Sequence, residues 1–200
     1  MKLLREFNGL DYDADALLRS REEGAPIVLR GILQKSDTLN QNGRVYPRAI
    51  LEREISNYQK FISEGRATGE LDHPDSSVIE LKNVSHKVVE ATLGHDGVVY
   101  GAVQVLNTPS GKILQDLLEG GVKLGISSRG VGSTVKQGDH DIVQEDFQLI
   151  CFDMVSEPST PNAFMMAEGK EINPNTLRKV FKKSDRIYRA AGEYLQFPWK

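Results

Sequence analysis

Apolar positions along this chain recur with two periods, and each change of period marks an element. Pro26 to Gln34 (Pro-Ile-Val-Leu-Arg-Gly-Ile-Leu-Gln) is rich in branched side chains and predicts a strand. Leu51, Ile55, Tyr58 and Ile62 then recur at helical spacing, so the segment opened by Pro47 predicts a helix packed on a sheet and ending near Gly65. Val84 to Leu93 and Val98 to Leu106 alternate as two strands, joined by Gly94-His95-Asp96-Gly97 into a hairpin. Thr108-Pro109 opens a second helix with the stripe Ile113, Leu114, Leu117 and Leu118, closed by Gly120-Gly121. Val122 to Val135 predicts a further strand, turned at Gln137-Gly138-Asp139 into a return strand from Ile142 to Val155. About six or seven strands and three helices, mostly hairpin-connected, predict an α+β domain whose antiparallel sheet closes as a β-barrel flanked by helices.

The ends differ from this middle. Residues 1–25 are acidic and mixed, and predict an N-terminal arm or lead-in strand around a short helix. Residues 26–167 form the predicted domain, with Pro158, Pro161 and Gly169 punctuating its end. Residues 168–200 are basic, and Leu177, Val180, Phe181, Ile187 and Tyr188 are spaced for an amphipathic helix that packs back or binds a partner.

Composition narrows the function classes. With 39% hydrophobic and 26% charged residues among 200, the chain is an ordinary globular protein. A net charge of −3 gives no reason to expect nucleic acid as a partner. Cys151 is the only cysteine, which excludes a disulfide framework and a cysteine-based zinc site and fits a reducing cytoplasm. No apolar run reaches the roughly 18 residues of a membrane span, and the N-terminus meets charge too early for a signal peptide.

One stretch stands out chemically: Lys123-Leu124-Gly125-Ile126-Ser127-Ser128-Arg129-Gly130-Val131-Gly132. Two hydroxyls and a guanidinium within a core strand are costly unless partnered, and the glycines imply a close approach to this backbone. A serine nucleophile needs a base and an oxyanion donor. Adjacent strand residues face opposite sides, so only one of Ser127 and Ser128 can meet a given histidine while the other braces the backbone. Arg129, or N–H groups beside Gly130, are the candidate oxyanion support. Of the four histidines, His95 and His140 fall in or beside hairpin turns, and His86 reads as a half-buried strand histidine. His73 is held extended by Pro74 in the loop Gly69-Glu70-Leu71-Asp72-His73-Pro74.

Those two blocks, in that order, resemble the prohead core protein proteases of tailed bacteriophages. Asn42-Gly43-Arg44-Val45-Tyr46-Pro47, Val84-Ser85-His86, Asn107-Thr108-Pro109-Ser110-Gly111-Lys112 and Pro158-Ser159-Thr160-Pro161-Asn162-Ala163 fit the same family pattern. The family in turn resembles the herpesvirus assemblins, which implies a β-barrel ringed by helices, a serine nucleophile and a histidine base. Carried over, His73 is the base and Ser127 the nucleophile; the choice of Ser127 over Ser128 rests on the resemblance. Asp153, alone among apolar neighbours on the return strand, needs a partner, and orienting a histidine would give it one. A salt bridge to Arg129 is the competing explanation, and His86 and then Glu70 are the alternative third members.

The resemblance implies scaffold and capsid proteins as substrates inside an immature phage head in the bacterial host cytoplasm. It implies cleavage after Glu with Leu or Ile two residues earlier, and no metal or organic cofactor. Nucleic acid and membranes are not expected partners, and a homo-oligomer is compatible with the sequence. The cleavage pattern occurs here at Leu4-Arg5-Glu6, Ile50-Leu51-Glu52, Ile62-Ser63-Glu64 and Leu117-Leu118-Glu119. The last three fall in predicted helices, so self-trimming is expected after Glu6, in a loose arm. The competing classes are a non-catalytic capsid-assembly or scaffold-binding protein on the same fold, and a metal-dependent hydrolase using Asp72, His73, Asp75 and His86. The second lacks any familiar ligand spacing.

Overall fold

The computed structural model describes residues 2–9, 24–74, 76–156 and 165–167. The short helix expected within residues 1–25, the block from Pro158 to Ala163 and the amphipathic segment from Leu177 to Tyr188 lie outside them. All described residues belong to one compact unit, residues 1–169.

Two α-helices and eleven strands are present among the described residues. Helix α1 is Arg48–Ser63, with Pro47 standing just before it, and Gly65 follows at φ +67°. It buries Ile50, Leu51, Ile55 and Tyr58 against the sheets. Helix α2 is Pro109–Glu119, capped by Thr108, whose hydroxyl accepts the Gly111 N–H at 3.0 Å. Its core face is narrower than the predicted stripe: Leu114 and Leu118 are buried, whereas Ile113 is 53% exposed.

The strands form three sheets. The first is ordered β1-β7-β10, from β1 (Lys2–Gly9), β7 (Gly125–Gly132) and β10 (Gln148–Val155). The second is ordered β11-β2-β6-β5-β4, from β11 (Met165–Ala167), β2 (Val28–Lys35), β6 (Val98–Val105), β5 (Val84–Leu93) and β4 (Thr68–Glu70). Its ladders shift register at three places, and each bulge bends the sheet. The third is small: β3 (Arg44–Val45) runs parallel to β9 (His140–Val143), which pairs with β8 (Thr134–Gln137).

Residues 2–9, where a loose arm was the expectation for self-trimming, lie in β1 and pair with β7 along its whole length. The two long predicted strands are each divided. Val122 to Val135 becomes β7 and β8, and Ile142 to Val155 becomes β9 and β10. A turn interrupts the return at Gln144–Phe147, where Asp146 accepts both the N–H and the hydroxyl of Ser133 at 2.9 Å. Phe147 drops from that turn into the core and meets Tyr46 edge-on with centroids 5.2 Å apart. No ladder closes into a ring among the described residues. The first two sheets are joined where the backbone of Leu71 bridges Met154 and Asp72 N–H donates to Met154 O at 2.7 Å.

Candidate active site

Three elements converge at this junction. On β7, Ser127 and Arg129 share one face and Ser128 the other, as strand alternation requires. On β10, Asp153 lies directly opposite Ser127. That pairing depends on a bulge between Leu149 and Cys151, because a one-residue slip would turn Asp153 to the opposite face. Buried Glu54 of α1 secures the bulge, its Oε2 accepting Leu149 N–H at 2.8 Å. The loop after β4 then lays His73 over this pair of strands, in contact with both side chains. Asp72 turns the chain there in the left-handed region, at φ +70°, a conformation uncommon for a side chain and maintained by its bond to β10.

The result is a continuous line. His73 Nε2 lies 2.5 Å from Ser127 Oγ, and His73 Nδ1 lies 2.8 Å from Asp153 Oδ2. Since the ionised carboxylate only accepts, Nδ1 carries the proton and Nε2 keeps a lone pair for the serine hydroxyl. The Asp153 and Ser127 side chains are fully buried and that of His73 is 6% exposed.

Asp153 is held from several directions. Oδ1 accepts the Glu70 backbone N–H at 3.0 Å, Arg129 Nη2 at 3.2 Å and the Cys151 thiol at 3.2 Å. Arg129 Nε stands 2.8 Å from Oδ2 in an ion-pair contact without hydrogen-bond alignment. Burial pushes the Asp153 carboxyl pKa up, but the His73 bond, the Arg129 charge and the Glu70 N–H outweigh it and hold it below the ordinary value. Burial, then the Asp153 charge, pushes the Cys151 thiol well up, so it stays a donor.

Arg129, expected near the oxyanion, has its guanidinium committed elsewhere. It binds Asp153, pairs with Glu70 Oε2 and donates from Nη1 to Ser76 O at 2.7 Å. Its pKa is raised: burial opposes its charge, but the surrounding acidic groups prevail. Glu70, an alternative third member, meets Arg129 and accepts Glu80 N–H at 3.0 Å rather than meeting His73. His86, the other alternative, is fully buried, with Nε2 2.9 Å from Phe152 O and Nδ1 2.9 Å from Ser85 Oγ. It therefore ties β5 to β10 one residue before Asp153. Ser128 points away from His73 and its Oγ accepts Gln34 Nε2 of β2 at 3.0 Å. Gly130 packs against the Phe147 ring, where a Cβ would come within 2.5 Å of it. His73 and His86, half of the metal-ligand set considered from sequence, thus face different partners.

The family model for the prohead core protein serine protease matches residues 18–175, well over half of the chain. The chain belongs to that family. The prohead core protein protease of Enterobacteria phage T4 is 28% identical over 176 residues, covering 85% of this chain and 81% of that protein. The solved structure of the bacteriophage T4 capsid assembly protease, gp21, matches with a TM-score of 0.67 at 24% identity, covering 78% of this chain and 98% of that one, a likeness of fold. Family membership makes the chain a phage prohead protease. In this chain three polar residues far apart in sequence, Ser127, His73 and Asp153, converge on one buried line.

Two contributors escaped the sequence reading. Gln34 braces Ser128, and its only signal was an amide closing an apolar strand. Cys151 donates to Asp153, and as the only cysteine of the sequence it spoke only to disulfides and zinc.

Proposed function

We propose that this family member is a serine endopeptidase that cuts scaffold and capsid proteins within an immature phage head, in the cytoplasm of the bacterial host. The observation that supports this reading best is the unbroken line Ser127–His73–Asp153, at 2.5 and 2.8 Å. Ser127 Oγ attacks the scissile carbonyl carbon while His73 Nε2 takes its proton. The tetrahedral intermediate collapses, the C–N bond breaks and His73 returns the proton to the leaving amine. Water then repeats the sequence on the acyl-enzyme and regenerates the serine. As His73 takes the proton, Asp153, bonded to Nδ1, stabilises the imidazolium that forms. Asp153 fixes the tautomer, and Arg129 and Glu70 hold Asp153.

The specificity belonging to this reading is cleavage after Glu with Leu or Ile two residues earlier. Ile50-Leu51-Glu52 and Leu117-Leu118-Glu119 lie within α1 and α2, and Ile62-Ser63-Glu64 lies at the end of α1, where backbone bonds protect them. Leu4-Arg5-Glu6 remains the self-processing site, and cutting it requires β1 to present the Glu6–Phe7 bond. For the fold, this reading takes the two larger sheets as walls of one barrel, supported by the Leu71–Met154 bridge and the bond between Gln34 and Ser128.

The test is cleavage of purified scaffold and capsid proteins by the wild-type chain and by Ser127→Ala, with fragments mapped by mass spectrometry. Wild type is expected to cut after Glu, and Ser127→Ala to lose on the order of a thousandfold or more in rate. Equal cleavage by the two proteins would falsify the reading.

A further inference from the structure

We propose, resting on the protease reading above, that Glu70 is a positioning residue for the base itself: it latches together the two ends of the loop that carries His73. The described residues of 71–80 lie in no helix or strand. Apolar packing does not fix the far end of this stretch, since Val78 is 67% exposed and Leu81, just beyond it, 80%. Polar bonds hold it instead. At the near end Glu70 N–H donates to Asp153 Oδ1 at 3.0 Å and Asp72 N–H to Met154 O at 2.7 Å. In the middle Arg129 Nη1 donates to Ser76 O at 2.7 Å. At the far end Glu80 N–H donates to Glu70 Oε1 at 3.0 Å, which closes a ring of chain that starts and ends at Glu70 with His73 inside it.

The way Glu70 and Arg129 meet supports this role. Both side chains are fully buried, where a pair held only for its own sake would use two parallel N–H···O bonds. Here they meet through Nη2 and Oε2 alone. The atom each diverts from the other binds the loop: Nη1 goes to Ser76 O, and Oε1 to the N–H ten residues ahead. The pair thus connects the His73 loop to the strands that carry Ser127 and Asp153. Closing the loop limits where the imidazole can sit before a substrate arrives. That matters because Nε2 must stay at 2.5 Å from Ser127 Oγ while Nδ1 stays at 2.8 Å from Asp153 Oδ2. A displacement of about 1 Å is worth on the order of a hundredfold in rate.

Because the latch uses the backbone N–H of residue 80, two substitutions at that one position isolate it. Glu80→Ala keeps the N–H and removes only an exposed carboxylate paired with Lys82; Glu80→Pro removes the N–H as well. The backbone of Glu80 is extended, at φ −90° and ψ 109°, a conformation close to proline's own. Both variants leave the Arg129–Glu70 pair in place. Relative to Glu80→Ala, Glu80→Pro should lower kcat about tenfold or more with KM within about threefold, because a misplaced base slows the chemistry rather than substrate binding. Two readouts need no turnover. Hydrogen exchange of residues 71–73 should speed up in Glu80→Pro, and the downfield proton resonance of His73 Nδ1–H, bonded to Asp153, should broaden. Glu70→Gln leaves one oxygen for two donors and should show the same loss in kcat and the same change in that resonance. Equal kcat in the two Glu80 variants overturns the proposal, and so does an unmoved His73 resonance or a Glu70→Gln loss confined to KM. The two readings fail separately. If the wild-type chain cuts no scaffold or capsid protein, the protease reading falls, and exchange and resonance still decide the latch. If wild type cuts and Glu80→Pro matches Glu80→Ala throughout, the latch falls and the protease reading stands.

Discussion

Ser127 and Arg129 are two positions apart on one strand face, and the chemistry proposed for the first depends on the second being satisfied. Arg129 pairs with both Asp153 and Glu70 where all three side chains are fully buried, and its planar fork also reaches Ser76 O. Lysine carries the same charge but cannot span three acceptors, so Arg129→Lys leaves a buried carboxylate under-partnered. Denaturant unfolding should show a loss of about 3 kcal/mol. A second consequence separates this from mere destabilisation. Because the folded Asp153 carboxyl is held below its ordinary value, its stabilising ionisation is present above the unfolded pKa and lost as pH falls through the lower folded one. Weakening the Arg129 contribution raises that folded value, so the acid limb of kcat/KM should move to higher pH. An acid limb that stays in place in Arg129→Lys would show that Asp153 is held by its other donors alone.

Among the elements, β10 does most to assemble the site, and His86 of β5 reports on its anchoring. Burial, opposed by the Asp153 charge and the Phe152 carbonyl, lowers the His86 pKa to about 4. Above pH 6.5 the ring is neutral folded or unfolded and costs nothing. As pH falls from about 6.5 to 4 the unfolded chain takes up a proton that the folded chain refuses, so stability drops by about 3 kcal/mol across that window. Urea midpoints against pH should slope downward toward acid in wild type and flatten in His86→Gln; parallel slopes would contradict the buried neutral ring. How much of this was legible in the sequence follows from the same elements. The β5–β6 hairpin, both helices and the β2 strand were readable because periodicity and turn residues agree there. His73 stood out by its proline-held loop but took its role only from the family resemblance, and Asp153 stood out as a lone acid among apolar residues. The bulge in β10 was not, since Leu149, Ile150, Cys151 and Phe152 are apolar on both faces and hide the change of phase. Nor was the turn before Phe147, which uses Gln, Glu and Asp without glycine or proline. The direction of Arg129 depends on Glu70 and Ser76, more than fifty residues earlier, and no local pattern encodes it.

At the scale of the whole molecule, the site exists only because two sheets approach closely at β4 and β10, and Gly69 permits that approach. A Cβ there would fall on Phe152 O and on the His86 ring, well inside contact distance and partly against backbone. Gly69→Ala must therefore push β4 away from β10 or expel His86, and either movement carries the His73 loop away from Asp153. Gly111 offers a matched comparison: its Cβ would strike Leu106 O and approach Ser85 O to 2.8 Å, on the far side of β5 where α2 begins. Both substitutions overpack buried backbone and should cost about 1–3 kcal/mol or more in unfolding free energy. Only one sits at the joint that aligns the reacting groups, where a displacement of about 1 Å is worth on the order of a hundredfold in rate. Assayed below their melting transitions, Gly69→Ala should lose about a hundredfold or more in kcat/KM, and Gly111→Ala should keep activity in proportion to its folded fraction. Equal losses in the two variants would mean that the sheet junction does no more for catalysis than any other packed contact in the fold.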